Sequence, residues 1–300
     1  MNQRTGQSGL TIHATILILA LILPGEGSLA CGQGVATGGT AVPPRPLPPG
    51  MKAPTVTYED VAVKAGLTGV EVSGADHGKQ YIVESTGTGV AIFDYDNDGL
   101  PDILLVNGGR LGDGAQPKPF LYHNLGGLKF EDVTEKAGIT STGWGQGVCA
   151  GDIDNDGNID VLLINKNDLP TLLRNDGGNT NNWLVIRTEG VRSNRAGIGA
   201  RVAITVAGKR RIQDVSGSES YLSGNDLRVH FGMGDHARAD AVEIRWPSGQ
   251  LDHYADVPVN SFYLAREADG LKPDPWIKPA HHSENQTRPG TPLLQKSKLR

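Results

Sequence analysis

The sequence predicts an all-β protein, with repeated strand–loop–strand units followed by a small antiparallel β-sandwich or barrel domain. Three observations carry this. Gly makes up 41 of 300 residues while aromatics are only 5%, a composition suited to short strands and tight turns and unlike a membrane bundle or a coiled coil. The apolar runs are four or five residues long and rich in Val, Ile and Leu, which is strand length, not helix length. One acid-rich pattern also returns 58 residues after its first appearance, as expected of a structural repeat.

The chain opens with Arg4 ahead of the apolar run Ala14–Leu23. A bilayer span needs about 20 residues, so this run is too short to cross. With Pro24 and Gly25 as helix breakers and the small residues of Ser28-Leu29-Ala30 before Cys31, it predicts an export signal over residues 1–30. Cleavage before Cys31 also resembles bacterial lipoprotein processing, although Ser28 stands where such sites usually carry Leu. The expected location is secreted, periplasmic or cell-surface, with membrane contact only through a lipid on Cys31. Residues 31–56, rich in Pro and Gly, form a linker with no means of building a core. The chain has two cysteines, Cys31 and Cys149. No disulfide is expected between them, and Cys149, in an apolar strand pattern, reads as a small buried hydrophobe.

The net charge of −5 is unevenly spread. Residues 57–180 hold 19 Asp and Glu against 8 Lys and Arg, a net of −11, whereas residues 182–269 hold 11 of each. An acidic block of this kind excludes nucleic acid as its partner and favours a cation.

The block 57–180 contains matched units. Gly89–Phe93 leads into Asp94-Tyr95-Asp96-Asn97-Asp98-Gly99-Leu100-Pro101-Asp102 and then Ile103–Asn107; Gly147–Gly151 leads into Asp152-Ile153-Asp154-Asn155-Asp156-Gly157-Asn158-Ile159-Asp160 and then Val161–Asn165. Two further echoes, Tyr58–Leu67 with Phe130–Ile139 and Leu121–Asn124 with Leu172–Asn175, recur at offsets of 72 and 51. An insertion around 108–118 in the first unit accounts for the shorter offset. Each acid loop therefore joins two strands.

Side chains at positions 1, 3 and 5 of such a loop converge, position 7 adds a carbonyl, position 9 adds a carboxylate, and Gly at position 6 permits the turn, the ligand order of a calcium loop. The candidate ligands are Asp94, Asp96, Asp98, the Leu100 carbonyl and Asp102 in one loop, and Asp152, Asp154, Asp156, the Asn158 carbonyl and Asp160 in the other. Position 12 is Leu105 or Leu163, not Glu, and the flanks are not helical, so an EF-hand is excluded. Two like charges about 4 Å apart repel by roughly 4 kcal/mol at an effective dielectric of 20. Neither loop contains Lys or Arg. All-oxygen ligands in irregular geometry favour Ca²⁺ over Mg²⁺, with two sites expected.

These units resemble FG-GAP/VCBS repeats, the calcium-loop blades of integrin-α-type β-propellers, with Glu131–Thr134 and Gly147–Asp160 the closest stretches. The resemblance implies two integrin-α-like propeller blades, or three with a partial one, over 57–180, but a closed propeller needs typically about 4–8 of them, so the blades form an open fragment, self-associate with another copy through their incomplete set, or belong to a shortened relative.

The second module, 181–269, begins with Asn182–Arg187. Further strands are read at Ala200–Val206, where inward and outward residues alternate, and at Arg210–Val215, Leu227–Phe231, Ala241–Trp246 and Ser261–Ala265. Trp246-Pro247-Ser248-Gly249 is a turn. Residues 270–300 lack periodicity and read as a disordered tail. Ser193–Ala200, Gly217–Asp226, His230–Gly234 and Trp246–Gly249 resemble the ASPIC/UnbV domain. Blades followed by this domain is the order of cartilage acidic protein relatives and of many exported bacterial proteins. This implies an extracellular calcium-binding or interaction protein and supplies no reaction.

No catalytic constellation is found. His230 reads as a packed or hydrogen-bonded surface histidine, and Gly217–Ser220 lacks a nucleophile elbow. Ser218, Tyr221, Ser223, Asn225 and Asp226 read as a self-capped turn or, failing that, a ligand surface. The expectation is an exported, calcium-stabilised interaction or adhesion-type module with a protein or glycan partner. The alternative is a Ca²⁺-assisted hydrolase or accessory protein of a secreted pathway, with His123 as its base.

Overall fold

In the computed structural model, residues 57–75, 79, 81–110, 117–140, 143–218, 220 and 223–277 are described, with the backbone of 294–297. Every contact below lies within the unit Glu59–Arg300. The expected export signal, the linker and Cys31 fall outside the described residues, as does Tyr221. Among the described residues no helix is long and apolar enough to cross a membrane.

The first repeat opens with a single helical turn, α1 (Ala62–Ala65), closed by Gly66 at φ 93°. Its sequence echo ends in the same way, Ala137 N–H donating to the Val133 carbonyl at 2.8 Å ahead of Gly138 at φ 71°. Four short strands follow: β1 (Val90–Phe93), β2 (Asp102–Leu105), β3 (Phe120–Asn124) and β4 (Phe130–Asp132), paired antiparallel in the order β1-β2-β3-β4. The second repeat repeats the meander with β5 (Gly145–Gly151), β6 (Asp160–Asn165) and β7 (Thr171–Asn175), and the backbone of Leu294–Ser297 adds antiparallel to β7. Each acid loop therefore joins two antiparallel strands, as the sequence predicts, and the described residues hold two such sheets.

The two sheets share one core. Ala91, Phe93, Leu104 and Leu121 of the first and Val148, Val161, Leu163 and Leu173 of the second are buried together, each large side chain contributing roughly 1.5–3 kcal/mol by leaving water. Close approach needs Gly145, where a β-carbon would sit 2.5 Å from Val106 Cγ1. Its N–H donates to the Asn107 carbonyl at 3.0 Å, so the repeats are also joined through backbone. Cys149 is half-buried on β5 and unbridged. That corrects the expectation of a buried hydrophobe: strand alternation turns Val148 and Ala150 inward and Cys149 out.

The remaining strands are β8 (Asn182–Glu189), β9 (Arg201–Val206), β10 (Lys209–Asp214), β11 (Val229–Gly234), β12 (Arg238–Arg245), β13 (Leu251–Pro258), β14 (Ser261–Arg266) and β15 (Gly270–Pro273). They form two sheets, β10-β9-β12-β13 and β11-β8-β14-β15. Leu184, Ile186, Val202, Ile204, Phe231, Ile244 and Trp246 interdigitate between them, the arrangement of a sandwich.

Three features depart from the sequence reading. β14 runs parallel to β8, because the chain reaches it from the opposite sheet and not through a hairpin. β13 was not foreseen; it is an edge strand with Leu251 and His253 turned outward, and Asp256 at φ 56° interrupts its alternation. The tail expected from Gly270 starts as an ordered strand, β15, beyond which Asp274 accepts two bonds from Arg187 at 2.6 and 2.9 Å.

Candidate metal centre

The two acid loops fold with the same hydrogen bonds. In the first, Asp94 accepts from the N–H groups of Asp98 (3.1 Å) and Gly99 (2.7 Å), Asp98 from Leu100 (2.7 Å), and Asp102 from Tyr95 (3.0 Å) and Asn124 (2.7 Å). In the second, Asp152 accepts from Asp156 (3.1 Å) and Gly157 (3.0 Å), Asp156 from Asn158 (2.8 Å), and Asp160 from Ile153 (3.0 Å) and Asn175 (2.8 Å). The fourth residue, Asn97 or Asn155, sits at φ 62° or 60°, and the sixth, Gly99 or Gly157, at φ 90° or 89°. Left-handed backbone at both positions is what Asn and Gly tolerate best, and it turns the acid side chains toward one point.

Ligating atoms of Asp94, Asp96 and Asp98 lie within 4.8 Å of one another, as do those of Asp152, Asp154 and Asp160. Asp96 and Asp102 also gather with His123, whose Nδ1 stands 3.6 Å from Asp96 Oδ2 and 3.3 Å from Asp102 Oδ1. His123 packs edge-on against Tyr95, ring centres 5.8 Å apart. Burial, with the neighbouring carboxylates, raises Asp94 to about 8 against the opposing Gly99 N–H bond. Burial likewise brings Asp102 and Asp152 up to about 7 and Asp160 to about 6, and it raises Asp96. The Asp94-Asp96-Asp98 and Asp152-Asp154-Asp160 groups offer carboxylate oxygens, all but Asp154 buried or half-buried, which fits a hard divalent cation.

Of the ten expected ligand positions, the carboxylates of Asp94, Asp96 and Asp98 converge in the first loop and those of Asp152, Asp154 and Asp160 in the second, while Asp102 gathers with Asp96 and His123 in a separate group. Asp156 instead turns Oδ1 to Asn158, accepting from its N–H at 2.8 Å and its Nδ2 at 3.1 Å. Leu100 and Asn158 occupy the corresponding place after the glycine, and their N–H groups are bound to Asp98 and Asp156.

The loop tips are seated on the C-terminal sandwich. His230 is buried and hydrogen-bonded through Nε2 to the Gly157 carbonyl at 3.0 Å; it is a core residue, not a surface one, and burial lowers its pKa to about 4. Arg228 donates to Asn155 Oδ1 at 2.7 Å, to the Asp152 carbonyl and to Asp226 Oδ2 at 2.6 Å. Gly234 N–H meets the Asn97 carbonyl at 2.8 Å. A β-carbon on Gly232 would lie 2.0 Å from Asp94 Oδ2, and one on Gly157 would lie 2.0 Å from the Trp183 ring.

The polar cluster at 218–226 is neither a purely self-capped turn nor a free surface. Ser220 Oγ accepts from Val90 N–H (3.0 Å), Ser223 Oγ from Val148 N–H (3.1 Å) and Asn225 Oδ1 from Ala150 N–H (3.0 Å), while Asp226 N–H donates to the Ala150 carbonyl at 3.0 Å. These groups cap the open edges of β1 and β5, which would otherwise expose unpaired backbone. Arg228, Gly232 and Trp183 were missed by sequence reasoning. One signal was available: two glycines inside the strand Val229–Gly234 mark a close backbone approach.

Residues 190–272 match the family model described as ASPIC and UnbV, and residues 94–163 match that of an FG-GAP-like repeat. The resemblances read from the acid loops and from Gly217–Asp226 thus fall on the matched segments. Cartilage acidic protein 1 of Mus musculus is similar at 26% identity over 166 residues, covering 53% of this chain and 25% of that protein. The Homo sapiens protein of the same name is 26% identical over 166 residues, covering 53% and 24%. The match thus spans about a quarter of these relatives' length. The matched families are not typically catalytic.

Proposed function

We propose that this is an exported, calcium-binding β-repeat protein that serves as an interaction or adhesion-type module. Asp94, Asp96, Asp98, Asp102 and the Leu100 carbonyl would hold one Ca²⁺; Asp152, Asp154, Asp156, Asp160 and the Asn158 carbonyl would hold a second. The observation that carries the reading is the shared hydrogen-bond pattern of the two loops, which aims matching carboxylates inward at two places in one chain. When bound, the cation supplies the positive charge that lets buried carboxylates ionise together. The protein's own residues do the rest: Asn97 and Asn155 set the turn, the backbone N–H groups orient the carboxylates, and Arg228 and His230 hold the second loop on the sandwich.

The export reading is supported by the amino-terminal pattern of Ala14–Ala30 and by the extracellular character of FG-GAP-like repeats. The partner is proposed to be a protein or a glycan, with self-association through the incomplete blade set as a further mode. Calorimetric titration of the chain with Ca²⁺ tests the cation reading; absence of both heat and any melting shift on adding EDTA would end it. The hydrolase alternative takes its support from His123 beside Asp96 and Asp102. Hydrolase screening with and without Ca²⁺ separates the two.

A further inference from the structure

The two acid loops differ at one neighbour. On β3 and on β7 an asparagine donates its N–H to the last carboxylate of the loop, Asn124 to Asp102 Oδ1 at 2.7 Å and Asn175 to Asp160 Oδ1 at 2.8 Å. The residue before that asparagine is His123 in the first repeat and Arg174 in the second. Arg174 is exposed and pairs with Asp176. His123 instead brings Nδ1 to 3.3 Å from Asp102 Oδ1 and 3.6 Å from Asp96 Oδ2. Ligating atoms of these three residues lie within 4.8 Å of one another, whereas Asp152, Asp154 and Asp160 gather without a nitrogen.

The group at His123 has the make-up of a mixed ligand set. The side chains of Asp102, Asp96 and His123 are 0%, 19% and 20% exposed. His123 Nδ1 is itself buried and makes no hydrogen bond among the described residues. In the Nε2–H tautomer, Nδ1 presents a lone pair to two carboxylate oxygens. Three buried acceptors facing one another call for a cation between them. Two ligands each about 2.0–2.1 Å from a tetrahedral ion stand roughly 3.4 Å apart, close to the 3.3 and 3.6 Å found here. The N–H groups of Tyr95 and Asn124 fix the Asp102 carboxylate, and the Tyr95 ring packs edge-on against the imidazole, the outer support that metal ligands carry. Ca²⁺ takes oxygen ligands, whereas imidazole nitrogen with carboxylate suits Zn²⁺.

We propose that Asp96, Asp102 and His123 Nδ1 form a site for a divalent transition ion of the Zn²⁺ kind, in the first acid loop and not in the second. Asp96 belongs both to this group and to the Asp94-Asp96-Asp98 group, so the first loop holds either this ion or Ca²⁺. The proposal rests on the reading of the first loop as a cation site and adds a class of ion that an oxygen-only ligand set does not select.

Calorimetric titration of the full chain with Zn²⁺, after stripping with EDTA and desalting, tests it, and visible absorption of added Co²⁺ reports nitrogen ligation directly. His123→Ala should weaken one Zn²⁺ event by about ten-fold or more and alter the Co²⁺ spectrum, with its Ca²⁺ titration unchanged. Zn²⁺ added first should remove one Ca²⁺ event. Zn²⁺ binding that His123→Ala leaves undiminished overturns the proposal, as does bound Zn²⁺ that leaves every Ca²⁺ event intact. If His123→Ala does not fold, His123→Gln, which keeps a polar side chain without the imidazole, must show the same loss; undiminished Zn²⁺ binding there overturns it. Ca²⁺ heat without any Zn²⁺ binding removes this proposal and leaves the calcium reading. Zn²⁺ binding lost in His123→Ala, with no Ca²⁺ heat in the parent, does the reverse.

Discussion

Asn97 of the first acid loop is hydrogen-bonded to the second: its Nδ2 donates to Asn158 Oδ1 at 3.1 Å and to the Gly157 carbonyl at 3.2 Å. The two candidate cation loops are thus one hydrogen-bonded unit, and Asn97, 1% exposed, lies at its centre. Asn97→Gly removes the bridge while tolerating the φ of 62°. It should cost about 1–2 kcal/mol, the penalty of leaving buried polar groups without a partner. Denaturant unfolding checks this, and Asn97→Ala should cost more because it adds backbone strain.

Gly232 has no room for a side chain. Its β-carbon would stand 2.0 Å from Asp94 Oδ2 and 2.6 Å from the Asn97 backbone. Gly232→Ala must push the first loop off the sandwich, at an expected cost of about 1–3 kcal/mol. Ca²⁺ binding to the first loop should weaken while the second is spared, which calorimetry on the variant resolves.

Arg228, held by Asp226, joins the sandwich to the second loop through two directed N–H contacts, to Asn155 Oδ1 and to the Asp152 carbonyl. Arg228→Lys keeps the charge but not the fork, so it should fail to restore stability. Both Arg228→Lys and Arg228→Ala are expected to unfold earlier than the parent by about 1–3 kcal/mol. Proteolysis should cut 216–228 first, since that segment caps β1 and β5.

Glu267 contributes to acid sensitivity away from the loops. Burial opposes its ionisation, but N–H bonds from Ser193, Val191 and Arg192 and the Ser248 hydroxyl prevail and hold it at about 2. A carboxyl depressed on folding stabilises fully above its ordinary 4.5 and loses that contribution as pH falls toward about 2. Glu267→Gln should therefore lower stability at neutral pH and flatten the decline across that window, read from melting temperature against pH.

Much of this was legible in the sequence. The two loops, their flanking strands and most of the sandwich strands follow from short apolar runs and from the Asp-Xaa-Asp-Asn-Asp-Gly repeat, because turn chemistry and strand length are local properties. The contacts of Ser223, Asn225, Arg228 and His230 were not legible. Their partners lie 73 to 76 residues away, and nothing in local pattern says that a serine caps a neighbouring sheet edge instead of its own turn. The parallel placement of β14 beside β8 and the edge strand β13 were hidden for the same reason: sheet order is set by which faces meet, not by the residues of one strand.

Calorimetric titration of the EDTA-stripped chain with Ca²⁺ tests the central claim most directly. Two cations should bind per chain and raise the melting temperature, with Asp94→Asn and Asp152→Asn each removing one. A titration without heat, joined to a melting temperature indifferent to Ca²⁺ and EDTA alike, would contradict it.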